Sequence, residues 1–317
     1  MEIRSIYRTY FMKGSHSAFS DITSFQGNYY LGFMSGKKHM VDPENKSVIL
    51  KSEDGVQWTP ALQLHMGIDT REPKFMVLDG KLFAYFFTIT PHETEDRMVT
   101  NSWYTYTEDG ITWKDPCQFA QEEKFWRPVA FQGSAYCVTH PKDPAPNRYC
   151  RLMKSKDGIH WDFIQNIPID PMEKPNEASI TFDEQGRLLV FIRTDRGRCS
   201  AYILRAEAPY THFEVFDLNQ RMGGPLIWTH NGIIYISCRF YTETGTPHTG
   251  IFQLKEDMKP ILDIVLPSYG DSSYAGIVNK LDGDGVWISY YSSHDCLVSD
   301  SKYSKANASI YLADAIY

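Results

Sequence analysis

The chain has 317 residues, a formal net charge of −7 and 14% aromatic residues. The acidic balance excludes the basic face that a nucleic-acid binder needs. No apolar run approaches the roughly eighteen residues of a spanning helix, and Met1-Glu2-Ile3-Arg4 lacks the basic head and apolar core of a signal peptide, so the expectation is a cytoplasmic protein with no membrane segment.

The first element is Ile3 to Phe11, an alternating aromatic stretch that reads as a strand. Six units follow, each of about fifty residues. The first opens at His16-Ser17-Ala18-Phe19-Ser20-Asp21, turns at Gln26-Gly27-Asn28 and has the loop Ser35 to Asp42. The second opens at Asp69-Thr70-Arg71-Glu72-Pro73-Lys74, turns at Asp79-Gly80 and leaves its second strand near His92. The third runs from Phe125-Trp126-Arg127-Pro128 through Gln132-Gly133 to Thr139-His140. The fourth opens at Pro175-Asn176-Glu177 and leaves at Arg193-Thr194-Asp195, and the fifth opens at Met222-Gly223-Gly224-Pro225 and leaves at Arg239-Phe240-Tyr241. The sixth opens at Asp271-Ser272-Ser273-Tyr274, leaves at Tyr290 to Asp295 and ends with a strand from Ala308 to Ala313.

A hairpin signal punctuates these units. Ser52-Glu53-Asp54-Gly55-Val56-Gln57-Trp58 returns as Thr107 to Trp113 and as Ser155 to Trp161, with echoes at Arg205 to Phe213 and Leu254 to Asp257. An Asp-Gly pair between apolar runs marks a tight turn, with the Asp accepting turn amides and the Gly tolerating positive φ. Such turns join the third strand of a unit to its fourth, and repeated four-stranded units are propeller blades. The predicted fold is all-β, a single six-bladed propeller domain over 1–317, with Ile3 to Phe11 supplying the last blade's missing outer strand and leaving no open edge. In that geometry, residues just before each first strand, or just after each second strand, converge on one mouth.

The turns resemble the Asp-box, or BNR repeat, of the sialidase (neuraminidase) superfamily, in a form one residue shorter than usual. The resemblance extends to the order of polar residues: a catalytic Glu opening the fourth blade, an Arg about fifteen residues later, an Arg in the fifth blade and a nucleophilic Tyr opening the sixth. Those places hold Glu177, Arg193, Arg239 and Tyr274. A phenol is a poor nucleophile unless a carboxylate takes its proton, and it meets an anionic sugar without charge repulsion. The two Arg suit bidentate binding of an acidic sugar, or could instead brace the mouth.

The chain lacks the Arg-Ile-Pro motif with which sialidases begin. His16 and Asp21 stand there instead, and Arg71 and Arg127 are the replacements on offer. For the leaving-group acid the candidates are His39 and Asp42 in the first blade's loop, with Asp21 and Asp69 as rival carboxylates before inner strands. Trp126, Tyr241 and Tyr291 are candidates for stacking on sugar rings, or for packing between blades. The chain is also similar to a less characterised bacterial subgroup with a first-blade His-x-Ala-Phe-(Ser/Thr)-Asp, Asp-x-Arg-(Asp/Glu)-Pro-Lys, Asn176-Glu177, Gly223-Gly224-Pro225 and Ser289-Tyr290-Tyr291-Ser292-Ser293-His294. Where that subgroup usually has Arg-Glu-Gly after the second strand, this chain has Met34-Ser35-Gly36.

The resemblance implies an exo-glycosidase of sialidase type, acting on a terminal acidic sugar with retention, with a glycan as its partner. The alternatives are a glycan-binding propeller without chemistry, and a polysaccharide lyase using Tyr291 and His294. The sequence contains no His-Glu-x-x-His, phosphate-binding loop or Gly-x-Ser-x-Gly elbow. Six scattered Cys (Cys117, Cys137, Cys150, Cys199, Cys238, Cys296) are expected as buried thiols. Asp42 and Glu44 give only a weak calcium signal, and no metal or cofactor is assigned.

Overall fold

The computed structural model describes residues 1–142, 148–295 and 307–317; Cys296 lies outside them. Six antiparallel sheets, five of four strands and one of five, radiate from an axis, forming a six-bladed β-propeller. The innermost strands are His16–Phe25, Asp69–Leu78, Pro175–Phe182, Gly223–His230 and Ser272–Asn279, each in contact with inner strands of neighbouring blades. In the third blade the inner strand is not continuous, as the sequence suggested, but splits into Glu123–Phe125 and Val129–Phe131 around Pro128, which has no amide to give to a ladder.

The ring closes as the alternation of the first residues implies. Glu2–Tyr10 pairs antiparallel with Ser309–Ile316, so the last blade takes its outermost strand from the start of the chain. Neighbouring blades are sealed by apolar contacts; Leu189, Phe191 and Ile203 of the fourth blade, for example, pack with Ile227, Ile236 and Phe252 of the fifth. Cys137, Cys150 and Cys238 are buried, whereas Cys117 begins an outermost strand and is exposed there. No helix among the described residues is long and apolar enough to cross a membrane.

The three Asp-Gly turns join third to fourth strands and share one hydrogen-bond pattern. Asp54 Oδ1 accepts from Val56 N and Gln57 N, both at 2.8 Å, and Ser52 Oγ accepts from Gly55 N at 2.9 Å. Asp109 and Asp157 repeat it. These turns also fasten one blade to the next. Tyr30 Oη of the first blade donates to Gly110 O at 3.1 Å, and Tyr85 Oη of the second donates to Gly158 O at 2.7 Å.

Gly110 has φ +68°, and a Cβ there would lie 2.2 Å from Tyr30 Oη. Gly110→Ala therefore combines left-handed strain with overpacking and should cost about 2–4 kcal/mol. Denaturant unfolding should show a lower midpoint at unchanged slope; an unaltered midpoint would mean that this turn does not fasten the blades.

Candidate active site

The side chains of the mouth are aimed by a bulge repeated in the inner strands. Pairing registers jump between Ala18 and Asp21, Arg71 and Lys74, Pro175 and Ala178, Gly223 and Leu226, and Ser273 and Gly276. A bulge leaves residues unpaired and re-aims them. The residues released are Phe19, Glu72, Asn176-Glu177, Gly224 and Tyr274, with Arg127 in the split strand; of these Phe19, Glu72, Arg127, Gly224 and Tyr274 have positive φ. Such backbone is uncommon outside glycine and concentrates at functional sites. Pro73, Pro128 and Pro225 follow three of these residues, where the ladder needs no amide.

Across a cavity of about 340 Å³ these bulges bring distant residues together. Tyr274 Oη donates to Glu177 Oε1 at 3.1 Å. Arg193 Nη1 lies 3.2 Å from Tyr274 Oη and 2.9 Å from Glu177 Oε2, and its other edge holds Asp195 at 2.6 Å. Burial alone would raise the Glu177 carboxyl, but the Arg193 charge, then Lys124 and Lys142, hold it below the usual range. Burial and the neighbouring Glu177 push the Tyr274 phenol well above its ordinary value. The pair is thus a neutral phenol hydrogen-bonded to a carboxylate that can accept its proton. Gly224 makes room for the ring: a Cβ there would meet Tyr274 Cδ2 at 2.7 Å. Phe19 packs edge-on to the ring at 4.9 Å between centroids.

A second group centres on Asp271. Its Oδ2 accepts from His39 Nδ1 at 2.6 Å and lies 3.2 Å from His16 Nε2, while Oδ1 accepts from Arg239 Nη2 and Tyr291 Oη, both at 2.8 Å. Burial would raise the Asp271 carboxyl, yet the bonds from His16 and His39 and the Arg239 charge hold it well below the carboxylate range. His16, His39 and Asp271 place three ligand atoms within 4.8 Å of one another. Both imidazoles address one carboxylate oxygen, however, and a guanidinium takes the other, so the set fits a hydrogen-bonded network better than a cation. His39 lines the cavity and Arg239 borders it.

Glu72 forms another part of the wall. Its Oε2 accepts from Lys124 Nζ and Trp126 Nε1, both at 2.9 Å, and the cations around it keep it ionised despite burial. Beneath it, Lys74 is buried and donates to Phe19 O at 3.0 Å and Ser20 O at 2.7 Å. Burial, with the Arg127 charge nearby, pushes the Lys74 ammonium down to about 7. In the unfolded chain a lysine titrates near 10.4, so from pH 7 to 10.4 the unfolded state binds more protons and stability rises with pH. Lys74 should therefore add about 2 kcal/mol to stability between pH 7 and 9. Chemical denaturation of wild type and Lys74→Met at both pH values tests this, and an equal pH response in the two proteins would refute it.

The whole chain superposes on solved structures of low identity. It is similar to a protein of unknown function from Dyadobacter fermentans, with TM-score 0.78, 18% identity and 99% of each chain covered. It is similar to Trypanosoma rangeli sialidase, with TM-score 0.69 and 11% identity, over 95% of this chain and 55% of that one. The intramolecular trans-sialidase from Ruminococcus gnavus, in complex with oseltamivir carboxylate, gives TM-score 0.68 and 12% identity over 95% of this chain and 94% of that one. The fold is sialidase-like. The chain spans about half the length of the Trypanosoma enzyme. No family model matches the sequence, and no curated protein matches it.

Within this sialidase-like fold the sequence-derived candidates separate into groups. Glu177, Tyr274, Arg193, Arg239, Arg71, His39 and Tyr241 line the cavity, with Arg221 lying over the Tyr241 ring. Arg71 is held there by Asp69, through two bonds of 2.5 Å, and donates to His39 O at 3.2 Å. Asp69 is itself buried, receiving Asp42 N and Asn45 Nδ2 at 2.8 Å, so it braces the loop that carries His39. Asp42 is turned to Glu44 N and Lys38.

Others lie beneath or beyond the mouth. Trp126 and Tyr291 are fully buried, so their rings form the floor under Tyr274 and do not face a sugar. Asp21 accepts from Phe75 N at 2.9 Å and pairs with Arg127 at 3.1 Å, and both border a separate axial cavity lined by the inner strands. Neither lines the mouth: Asp21 holds Arg127, which also donates to Ala275 O at 2.8 Å. Asn176 donates to Asp195 at 2.5 Å on the mouth's far wall. The His294 ring lies tilted against Tyr311, 4.7 Å between centroids, and 3.5 Å from Asp295. The Tyr291 hydroxyl is engaged by Asp271 and Arg239, so the two residues of the lyase alternative have separate surroundings.

The sequence reading missed Asp271 and Glu72 as site residues. One signal was available: Glu72 precedes a Pro at the position of the second blade equivalent to Tyr274 in the sixth.

Proposed function

We propose that the chain is an exo-glycosidase of sialidase type that removes a terminal acidic sugar from a glycan with retention of configuration. The observation that carries this reading is the 3.1 Å bond from Tyr274 Oη to Glu177 Oε1 at the base of a cavity bordered by Arg71, Arg193 and Arg239. In the first step Tyr274 Oη attacks the anomeric carbon as its proton passes to Glu177, and the bond to the leaving oxygen breaks. The leaving oxygen takes a proton from His39, whose Nδ1 is bound to Asp271 and whose Nε2 is left for the substrate. Water then gives a proton to His39 and attacks the anomeric carbon, the bond to Tyr274 Oη breaks, and the phenolate takes its proton back from Glu177. The three Arg side chains suit the sugar's carboxylate. A solved complex of the Trypanosoma rangeli sialidase is a covalent intermediate with 2,3-difluorosialic acid, chemistry of the kind proposed here.

The test is hydrolysis of a panel of aryl glycosides of sialic, glucuronic and galacturonic acids, with neutral glycosides as controls. Turnover of an acidic member with retained configuration supports the proposal, and no turnover of any member overturns it. One observation favours glycan binding without chemistry: the cavity's carboxylates, Glu72, Glu177 and Asp195, are all paired with cations, so proton donation rests on His39 alone. Binding of an acidic sugar without turnover would establish that second reading.

A further inference from the structure

Beside the mouth lies a second cavity of about 290 Å³, and Asp195 forms part of both walls. Lys142, Lys174 and Arg196 surround it, and none of the three has a carboxylate partner among the described residues. The one acidic residue lining it among the described residues, Asp195, is already held by Arg193 at 2.6 Å. His140 also lines the cavity; it is 3% exposed, and neither ring nitrogen has a hydrogen-bond partner among the described residues. A buried imidazole with two unmet nitrogens is costly unless a ligand meets them.

The electrostatics agree. Burial and the neighbouring Lys142 charge hold the His140 imidazole well below its ordinary value, so at neutral pH it is uncharged and carries one N–H to donate. Burial and the Lys124 charge push the Lys142 ammonium down to about 8. Cations crowded together with no carboxylate paired to them among the described residues favour an incoming anion.

We propose that this cavity is a subsite for the carboxylate or sulfate of the sugar next to the one held in the mouth, so that the protein acts on polyanionic glycans. The proposal rests on the glycosidase reading of the mouth, from which the glycan extends across the shared Asp195 wall. A substrate with a single terminal acid would leave the Lys142 and Lys174 charges unmet.

The test follows the His140 ring resonances by NMR during titration with inorganic sulfate, galacturonic acid and digalacturonic acid. Sulfate, digalacturonic acid or both should shift them with saturation. Lys142→Met/Lys174→Met should abolish the response, and Lys174→Met alone, at an exposed side chain, should weaken it even if the double variant fails to fold. A response to sulfate alone identifies a sulfated neighbour; one to digalacturonic acid, bound about tenfold or more tightly than the monomer, identifies a uronate. His140 resonances unmoved by either anion, or equally moved in Lys174→Met, overturn the proposal. Failure of the mouth reading shows separately, as absence of aryl-glycoside turnover with the sulfate response intact.

Discussion

Tyr274→Phe is expected to lower turnover of an acidic aryl glycoside by about 10³-fold or more, because the variant removes the phenol oxygen proposed to form the covalent intermediate. Substrate binding should be largely kept, since the Arg side chains and Glu177 remain. The variant should also fold: Glu177 still bridges to Arg193 at 2.9 Å, so no buried carboxylate is orphaned. Glu177→Gln should cause a comparable loss by a different route, since an amide cannot take the phenol's proton. Steady-state kinetics on both variants checks this, and the two effects should be far from additive because they act on one step. A Tyr274→Phe protein within about tenfold of wild type would falsify the nucleophile assignment.

His39→Ala should separate substrates by leaving group. A phenolate such as nitrophenolate departs without a proton, whereas a sugar hydroxyl needs one, so the loss should be about 10²–10⁴-fold on an oligosaccharide and far smaller on the aryl glycoside. Asp271→Asn should move both substrates the same way but less, because Asp271 orients His39 and does not meet the substrate; its bond to His39 Nδ1 is 2.6 Å. Equal losses on the two substrates would assign His39 to binding instead. Asp271 also holds His16 and Arg239, so stability is best measured alongside.

Some features were legible because their causes are local. The Asp54, Asp109 and Asp157 turns depend on a carboxylate reaching amides two and three residues ahead and on a glycine at positive φ, both written in seven consecutive residues. The outer closing strand was legible from alternation and from a last blade one strand short. Blade order in turn placed Glu177 and Tyr274 on one rim, although they are separated by 97 positions.

What the residue pattern could not convey is the direction of each side chain within that rim. Asp21 and Asp69 both read in the sequence as carboxylates before inner strands, yet Asp21 lies inside the strand His16–Phe25 and turns to Arg127 under the floor, whereas Asp69 opens its strand and holds Arg71 beside the mouth. Trp126 and Tyr291 sit where sugar-stacking rings would be sought, yet the Glu72 and Asp271 carboxylates draw their polar ends inward and bury them.

The sequence by itself determined the repeated hairpin, the number of blades and the residues that gather at one end, since each depends on contacts among near neighbours. The tertiary structure alone decided which of those residues share a proton or a charge. Ring closure brings the bulges of separate blades within hydrogen-bond reach, and in that confined space buried charges settle against partners that include residues of other blades, as Glu72 does with Lys124, Asp21 with Arg127 and Asp271 with Arg239.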